Sequence, residues 1–272
     1  MNKSSQASLK PNKKLKRGIQ TSQARNAKTA ELLYGIFPVQ QALLHHKRSL
    51  SCLYIKEGPA SERLNALCHL AEERGIAINK LHKGKLDHLC PSVPHQGVAL
   101  ACGPLPYAPD DLLNNPDTSS PPLFVALDQI EDPHNFGAIV RSCSFFDISG
   151  IIVPQQHSSP VTPAVSKTSA GVVEYFPVIA VANLARFLTA QKKKGYWIVG
   201  LDLRAEQPIA ALSQDRPLIL VVGNEGRGIR PLVHSVCDWH VTIPGNPEVS
   251  SLNVSNATAI ALYQLSEASR PL

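Results

Sequence analysis

The sequence has no apolar run of about 18 residues or more, so it offers no helix built to cross a membrane. Its six cysteines, at 52, 68, 90, 102, 143 and 237, include no C-x-x-C pair, which removes the usual spacing of a zinc site or a redox motif. Most of them sit among apolar neighbours and read as buried free thiols of a reducing compartment. The ten histidines are scattered. His82 and His88 flank one short segment with no third or fourth ligand nearby, so no metal site is expected. There is no internal repeat. Acidic residues are missing altogether from positions 1–30.

That last absence explains the charge. The 272 residues carry 27 Lys and Arg against 21 Asp and Glu, a formal +6. Eight of the basic residues (Lys3, Lys10, Lys13, Lys14, Lys16, Arg17, Arg25 and Lys28) lie in residues 1–30. Without them, 19 basic residues face 21 acidic ones, and the remainder is near −2. The stretch is rich in Lys, Ser, Gln and Asn, a composition that cannot bury enough apolar surface to order itself, and a disordered tail is expected. It reads either as an arm drawn to RNA phosphates by counterion release or as a solubilising extension. No apolar segment follows the basic residues, which argues against a secretory signal. With two arginines and no amphipathic period, a transit peptide is disfavoured and a cytoplasmic location is expected.

The rest reads as α/β in two parts. Residues 31–102 give a small unit: a helix over 31–46, strands at 51–56, 76–81 and 97–101, and helices at 61–74, capped by Ser61, and 83–89. A proline-rich linker follows over 103–121. From 122 onward, strand-like runs at 123–127, 150–153, 175–181, 196–201, 218–222 and 239–243 alternate with helices at 135–146, 183–194, 230–236 and 251–265. Near-continuous apolar runs such as 218–222 fit strands buried on both faces of a mostly parallel sheet.

Two loops at strand ends stand out, where open α/β sheets bind ligands. The first, Gly223-Asn224-Glu225-Gly226-Arg227-Gly228, is neither G-x-G-x-x-G nor a loop ending in G-K-[ST]. It has no lysine, and Glu225 would repel a pyrophosphate. Its glycines allow close backbone approach to a neutral or cationic ligand, or serve only a tight turn. The second runs from Ile243-Pro244-Gly245 to Val249-Ser250-Ser251-Leu252-Asn253-Val254-Ser255. Ser250 or Ser251 can cap the last helix there. The surplus of polar residues beyond one cap suggests groups aimed at a substrate. Between them in interest is the acidic turn Asp128-Gln129-Ile130-Glu131-Asp132, with Asn135 expected to cap the next helix. Gly137 lies one turn before Arg141 on the same face and suggests open space beside that arginine.

Three segments, N-F-G-A-I-V-R at 135–141, V-G-N-E-G-R-G at 222–228 and I-P-G-N-P-E-V-S-S-L-N-V-S at 243–255, resemble in order the motifs of the SpoU (TrmH-type) RNA ribose 2′-O-methyltransferases of the SPOUT superfamily. Tyr34-Gly35-Ile36 and His95-Gln96-Gly97-Val98 are similar to that family's ribosomal-protein-like RNA-binding domain. The resemblance implies a C-terminal trefoil-knotted methyltransferase domain, S-adenosyl-L-methionine held by the knot loops, and a homodimer. It implies transfer to a guanosine of 23S ribosomal RNA, with transfer RNA as the other target, or a non-catalytic RNA-binding protein that kept the fold. Asn135, Arg141, Glu225, Ser251 and Asn253 match catalytic or substrate-side positions. Gly223, Ile243 and Leu252 match positions that contact the cofactor. Family proposals give the arginine the part of general base. A free guanidinium stays protonated, so Arg141 is expected instead to clamp a phosphate, oriented by Asn135 and Glu225.

Overall fold

A computed structural model describes residues 30–59, 61–114, 121–212 and 216–268. The basic tail, apart from Ala30, and residues 115–120 of the linker lie outside them. Helices and strands are numbered in chain order.

The first sheet has four strands in the order β1-β4-β2-β3: β1 (Glu31–Tyr34), β2 (Leu50–Lys56), β3 (Ala77–Leu81) and β4 (Val98–Cys102). Helices α1 (Ile36–His45), α2 (Glu62–Glu73) and α3 (Lys83–Leu89) complete the unit. Its core gathers Leu33, Val39, Leu43, Leu53, Leu67 and Leu100. Ser61 caps α2 as expected, accepting from Leu64 N. The helix expected from residue 31 begins only at 36. Residues 31–34 pair antiparallel with β4, and Gly35 at φ 92 breaks the chain direction before the helix. Long-range pairing overrides local helical pattern here.

The second sheet has seven strands in the order β7-β6-β5-β10-β8-β11-β9, and each pairing is parallel. The strands are β5 (Leu123–Asp128), β6 (Gly150–Pro154), β7 (Val178–Val181), β8 (Trp197–Leu201), β9 (Gln207–Pro208), β10 (Leu218–Gly223) and β11 (Trp239–Thr242). The helices are α4 (Pro133–Phe145), α5 (Pro163–Thr168), α6 (Leu184–Lys192), α7 (Pro231–His234) and α8 (Val254–Ala268). Both faces are covered. Leu123, Val125 and Leu127 pack with Ile139, Leu262 and Leu265 of α4 and α8. Phe124 and Ala126 pack with Leu184, Leu188 and Val233 of α6 and α7. Side chains alternate faces along a strand, so covering both faces requires the continuous apolar runs seen in the sequence.

Several expectations are corrected. Helix α4 starts at Pro133 under an Asp132 cap, whose side chain accepts from His134 N at 2.9 Å, so Asn135 sits inside the first turn. Helix α8 starts at Val254, and Asn253, not a serine, caps it. Helix α5 and β9 were not foreseen. Residues 108–113 of the linker belong to the large sheet's edge: Ala108 N donates to Val178 O at 2.7 Å, and Tyr196 Oη donates to Leu113 O at 2.8 Å. The six cysteines are all free, with three buried and three half-buried.

Candidate functional site

Strand β5 and its neighbour β10 end in register, Asp128 opposite Gly223, and their following loops are tied together. The fully buried Asp128 carboxylate accepts from Arg230 N at 2.8 Å and Nε at 2.7 Å. Asn224 Nδ2 donates to Gln129 O at 3.0 Å. The glycine loop folds over its own start: a Cβ on Gly223 would run into the carbonyl carbon of Gly228 and the backbone nitrogen of Ile229, so only glycine fits. Asn224 closes the loop by exchanging backbone hydrogen bonds with Gly228, at 3.1 and 2.8 Å. Its side-chain oxygen accepts from Gly226 N at 3.0 Å. Gly223 is thus explained by the loop's own packing and Gly228 by its φ of 68, whereas a Cβ on Gly226 would meet nothing closer than Asn224 Oδ1 at 3.7 Å.

That fold presents Glu225 to the other two motifs. Its Oε1 accepts from Asn135 Nδ2 at 3.1 Å, Asn253 Nδ2 at 2.6 Å and Val254 N at 3.1 Å. Asn253 Nδ2 also donates to Asn135 Oδ1 at 2.9 Å. The other end of Asn253 caps α8, its Oδ1 accepting from Ser255 N at 2.9 Å and Ser255 Oγ at 2.5 Å. Three segments far apart in sequence therefore converge on one carboxylate oxygen. Glu225 is exposed, and its second oxygen has no partner among the described residues. A carboxylate held by amide donors, with no cation cancelling it, suits a ligand that brings positive charge or a hydroxyl.

The remaining predicted residues are placed differently. Arg141 is exposed on α4 and makes no hydrogen bond or ion pair among the described residues, so Asn135 and Glu225 do not orient it. Gly137 does not open space beside it either. A Cβ there would meet Thr168 Cβ at 2.6 Å and Val165 O at 2.9 Å, so this glycine lets α5 lie against α4. Ser251 and Leu252 are exposed in the segment before α8, and Ile243 is half-buried just beyond β11. Among the described residues, no group of three or more His, Cys, Asp or Glu could hold a metal ion. No helix there is long and apolar enough to cross a membrane. Sequence reading missed the Asp128–Arg230 pair. An acid directly ending an apolar strand was the available signal, because such a side chain is buried with the strand and needs a partner.

Comparison with known proteins shows the family and the fold. Residues 122–263 match the model of the SpoU rRNA Methylase family, and residues 32–108 match that of RNA 2'-O ribose methyltransferase substrate binding. The 23S rRNA (guanosine-2'-O-)-methyltransferase RlmB of Pseudomonas putida is 36% identical over 236 residues, which is 86% of this chain and 95% of the relative. An uncharacterized tRNA/rRNA methyltransferase of Mycobacterium avium is 38% identical over 269 residues, 97% of this chain and 87% of the relative. The crystal structure of the SpoU methyltransferase AviRb from Streptomyces viridochromogenes, in complex with AdoMet, superposes with a TM-score of 0.74. It covers 92% of this chain and 97% of its own, at 22% identity; that likeness establishes the fold.

Proposed function

Because the chain belongs to the SpoU rRNA methylase family, we propose that it transfers a methyl group from S-adenosyl-L-methionine to the ribose 2′-oxygen of a guanosine in 23S ribosomal RNA. The observation that carries this reading is the convergence of Asn135, Asn253 and Val254 N on Glu225 at the carboxyl ends of β5 and β10. It unites the three motifs of the resemblance in one place.

The residues assigned to the cofactor suit it chemically. Gly223, Ile243 and Leu252, which the resemblance gives to the cofactor, offer backbone and apolar surface suited to a neutral adenine, and the uncancelled Glu225 carboxylate suits a sulfonium cation. When bound, S-adenosyl-L-methionine supplies a methyl on a positively charged sulfur, so displacement by the 2′-oxygen leaves a neutral thioether. The protein then has to align the oxygen with the methyl and take one proton. Glu225 stiffens the three loops through Oε1 and keeps Oε2 free towards the ligand. Asn135 and Asn253 hold that carboxylate in one orientation. Arg141, exposed and unpaired, is free to bind an RNA phosphate. Ser251, exposed two residues before Asn253, is the residue we assign to the ribose.

The N-terminal unit, residues 31–102, is the part we assign to RNA binding, and residues 122–272 to the transfer. A homodimer is supported by apolar surface on neighbouring helices: Phe145 of α4 is 82% exposed and Tyr263 of α8 53% exposed. Arg141 lies one turn before Phe145, so a second copy seated on this face would lie beside it. Such an enzyme belongs in the cytoplasm with its RNA.

The test is incubation with tritiated S-adenosyl-L-methionine and unmodified 23S RNA, followed by mapping of the methylated ribose. Label at one guanosine is the expected result. Label only in transfer RNA would move the substrate assignment, and label in no RNA would sink the enzyme reading.

A further inference from the structure

Arg48, in the turn between α1 and β2, is 3% exposed yet carries a full charge. From its own unit Nη1 meets Glu31 Oε2 at 2.6 Å and, more weakly, Cys102 Sγ at 3.6 Å, and it also donates to Gly103 O, the first residue of the linker, at 3.1 Å. The remaining partner comes from the large domain. Nη2 donates to Glu174 Oε1 at 3.0 Å, and Nε faces Glu174 Oε2 at 2.9 Å, an ion pair too bent to count as a hydrogen bond. Glu174 is 1% exposed, in the 3₁₀ turn Val172–Glu174. The forked guanidinium thus spans the boundary between the two units.

The contacts around it are of the same kind. Lys47 Nζ donates to Tyr175 O at 2.6 Å, and Lys167 Nζ to Gln96 Oε1 at 2.9 Å. Gly171, at φ 84, leaves no room for a Cβ, which would meet Phe37 O at 2.8 Å. From Glu174 the chain of contacts leads inward. Ser166 Oγ of α5 donates to Glu174 Oε1 at 2.7 Å. Helix α5 lies against α4 at Gly137, and Thr168 Oγ1 meets His134 Nδ1 at 3.3 Å. His134 is the residue before Asn135.

We infer that the buried Arg48–Glu174 pair is a positioning device, holding the N-terminal unit in fixed register with the Asn135–Glu225–Asn253 cluster so that RNA gripped by the first unit meets the second correctly. A buried ion pair is a poor source of net stability, because desolvation offsets most of the attraction; fixing one register is its better-attested use. A planar fork sets orientation as well as distance, which apolar contacts alone do not. The inference rests on the RNA-methylating reading above and adds how the two units cooperate.

The test replaces both charges by apolar side chains of similar length, Arg48→Met with Glu174→Met. Small-angle scattering and amide exchange over α1 and α5 report docking, filter binding reports RNA affinity, and ribose mapping reports site choice. The expected result is loosened units and RNA affinity within about twofold, with kcat at least tenfold lower and methyl groups spread to neighbouring riboses. Units that stay docked, or loosened units with unchanged kcat and one methylated site, would overturn the inference. Should the double variant not fold, Glu174→Gln keeps the shape and can keep the acceptor at Oε1, while it deletes the charge and sets an amide N–H against Arg48 Nε; it is read by the same measurements. If the unaltered protein methylates no RNA, the functional reading fails, while scattering still decides whether the pair fixes the docking.

Discussion

Two glutamates in this protein make opposite use of the same carboxylate. Glu174 is sealed inside the boundary between the units, with Arg48 facing both its oxygens and Ser166 adding a hydroxyl. Burial pushes its pKa up, and Arg48 and Ser166 pull against that rise. Glu225 is exposed, takes three uncharged donors on one oxygen, and forms no ion pair among the described residues. Where water is excluded, a charge has to be cancelled on the spot, and it then serves architecture. Where it is left uncancelled in an exposed loop, it remains available to whatever binds. The next substitutions are chosen to break each arrangement separately.

The largest effect on stability belongs to Arg48→Ala, which leaves Glu174 buried without its cation. Breaking such a pair costs about 3–5 kcal/mol, and in a protein of this size each kcal/mol lowers Tm by roughly 2–4 °C. Calorimetry should therefore show a fall of at least about 6 °C; a fall under about 3 °C would mean water already reaches the pair. The direction with pH follows from Glu174. Its folded pKa is raised, so the folded state holds that proton more tightly than the unfolded chain does. The proton-linked stability is complete below the ordinary glutamate pKa, about 4.3, and is lost as pH rises through the folded value. The penalty of Arg48→Ala should accordingly shrink in acid. Glu225→Ala is the counterpart: a smaller fall in Tm than that of Arg48→Ala, because water can take the place of the lost acceptor at an exposed site, but about a 10²-fold loss of methyl transfer, the cost typical of reactants misplaced by an ångström. If Glu225→Ala instead lowers Tm as much as Arg48→Ala, the two carboxylates do not differ in kind.

The two arrangements also differ in how far the sequence disclosed them. The exposed cluster was legible only in part: the family resemblance singled out Asn135, Glu225 and Asn253, but that the two asparagines would meet on Glu225 instead of orienting Arg141 was not. The parallel sheet was legible because strands covered on both faces need unbroken apolar runs. The clamp was not legible. Arg48 and Glu174 are 126 residues apart, each in a turn, and nothing local marks an arginine that will be buried. The same limit explains why 31–34 read as helix: its strand partner, β4, lies some seventy residues on. It also explains Gly137, whose reason is a backbone on another helix.

Gly137→Ala would test that reason. Helix propensity alone favours alanine by roughly 1 kcal/mol, whereas overpacking against Thr168 and Val165 O costs typically about 1–3 kcal/mol. Net destabilisation of about 1 kcal/mol is expected in urea melts, with a drop in activity as α4 shifts under Asn135. A stabilised variant would mean that α5 gives way, and that the link from the clamp to the cluster is slack.

The smallest change in stability, and the finest cut between architecture and site, is Asn253→Ser. Asn253 does two jobs with opposite ends of one amide. Its oxygen caps α8, and its nitrogen reaches Glu225 and Asn135. Serine caps helices about as well as asparagine, so stability should move by less than about 0.5 kcal/mol, whereas Asn253→Ala forfeits the cap and about 1 kcal/mol. Neither replacement can reach Glu225 with a second donor. Water can replace the lost donor at this exposed carboxylate but cannot restore its orientation, and each ~1.4 kcal/mol of lost transition-state stabilisation is tenfold in rate, so both variants should lose methyl transfer by about tenfold or more, alike despite their different melting points. Activity that instead tracks stability, with serine near the parent and alanine below it, would show that Asn253 matters as a cap, and that Glu225 is held well enough by Asn135 and the backbone of Val254.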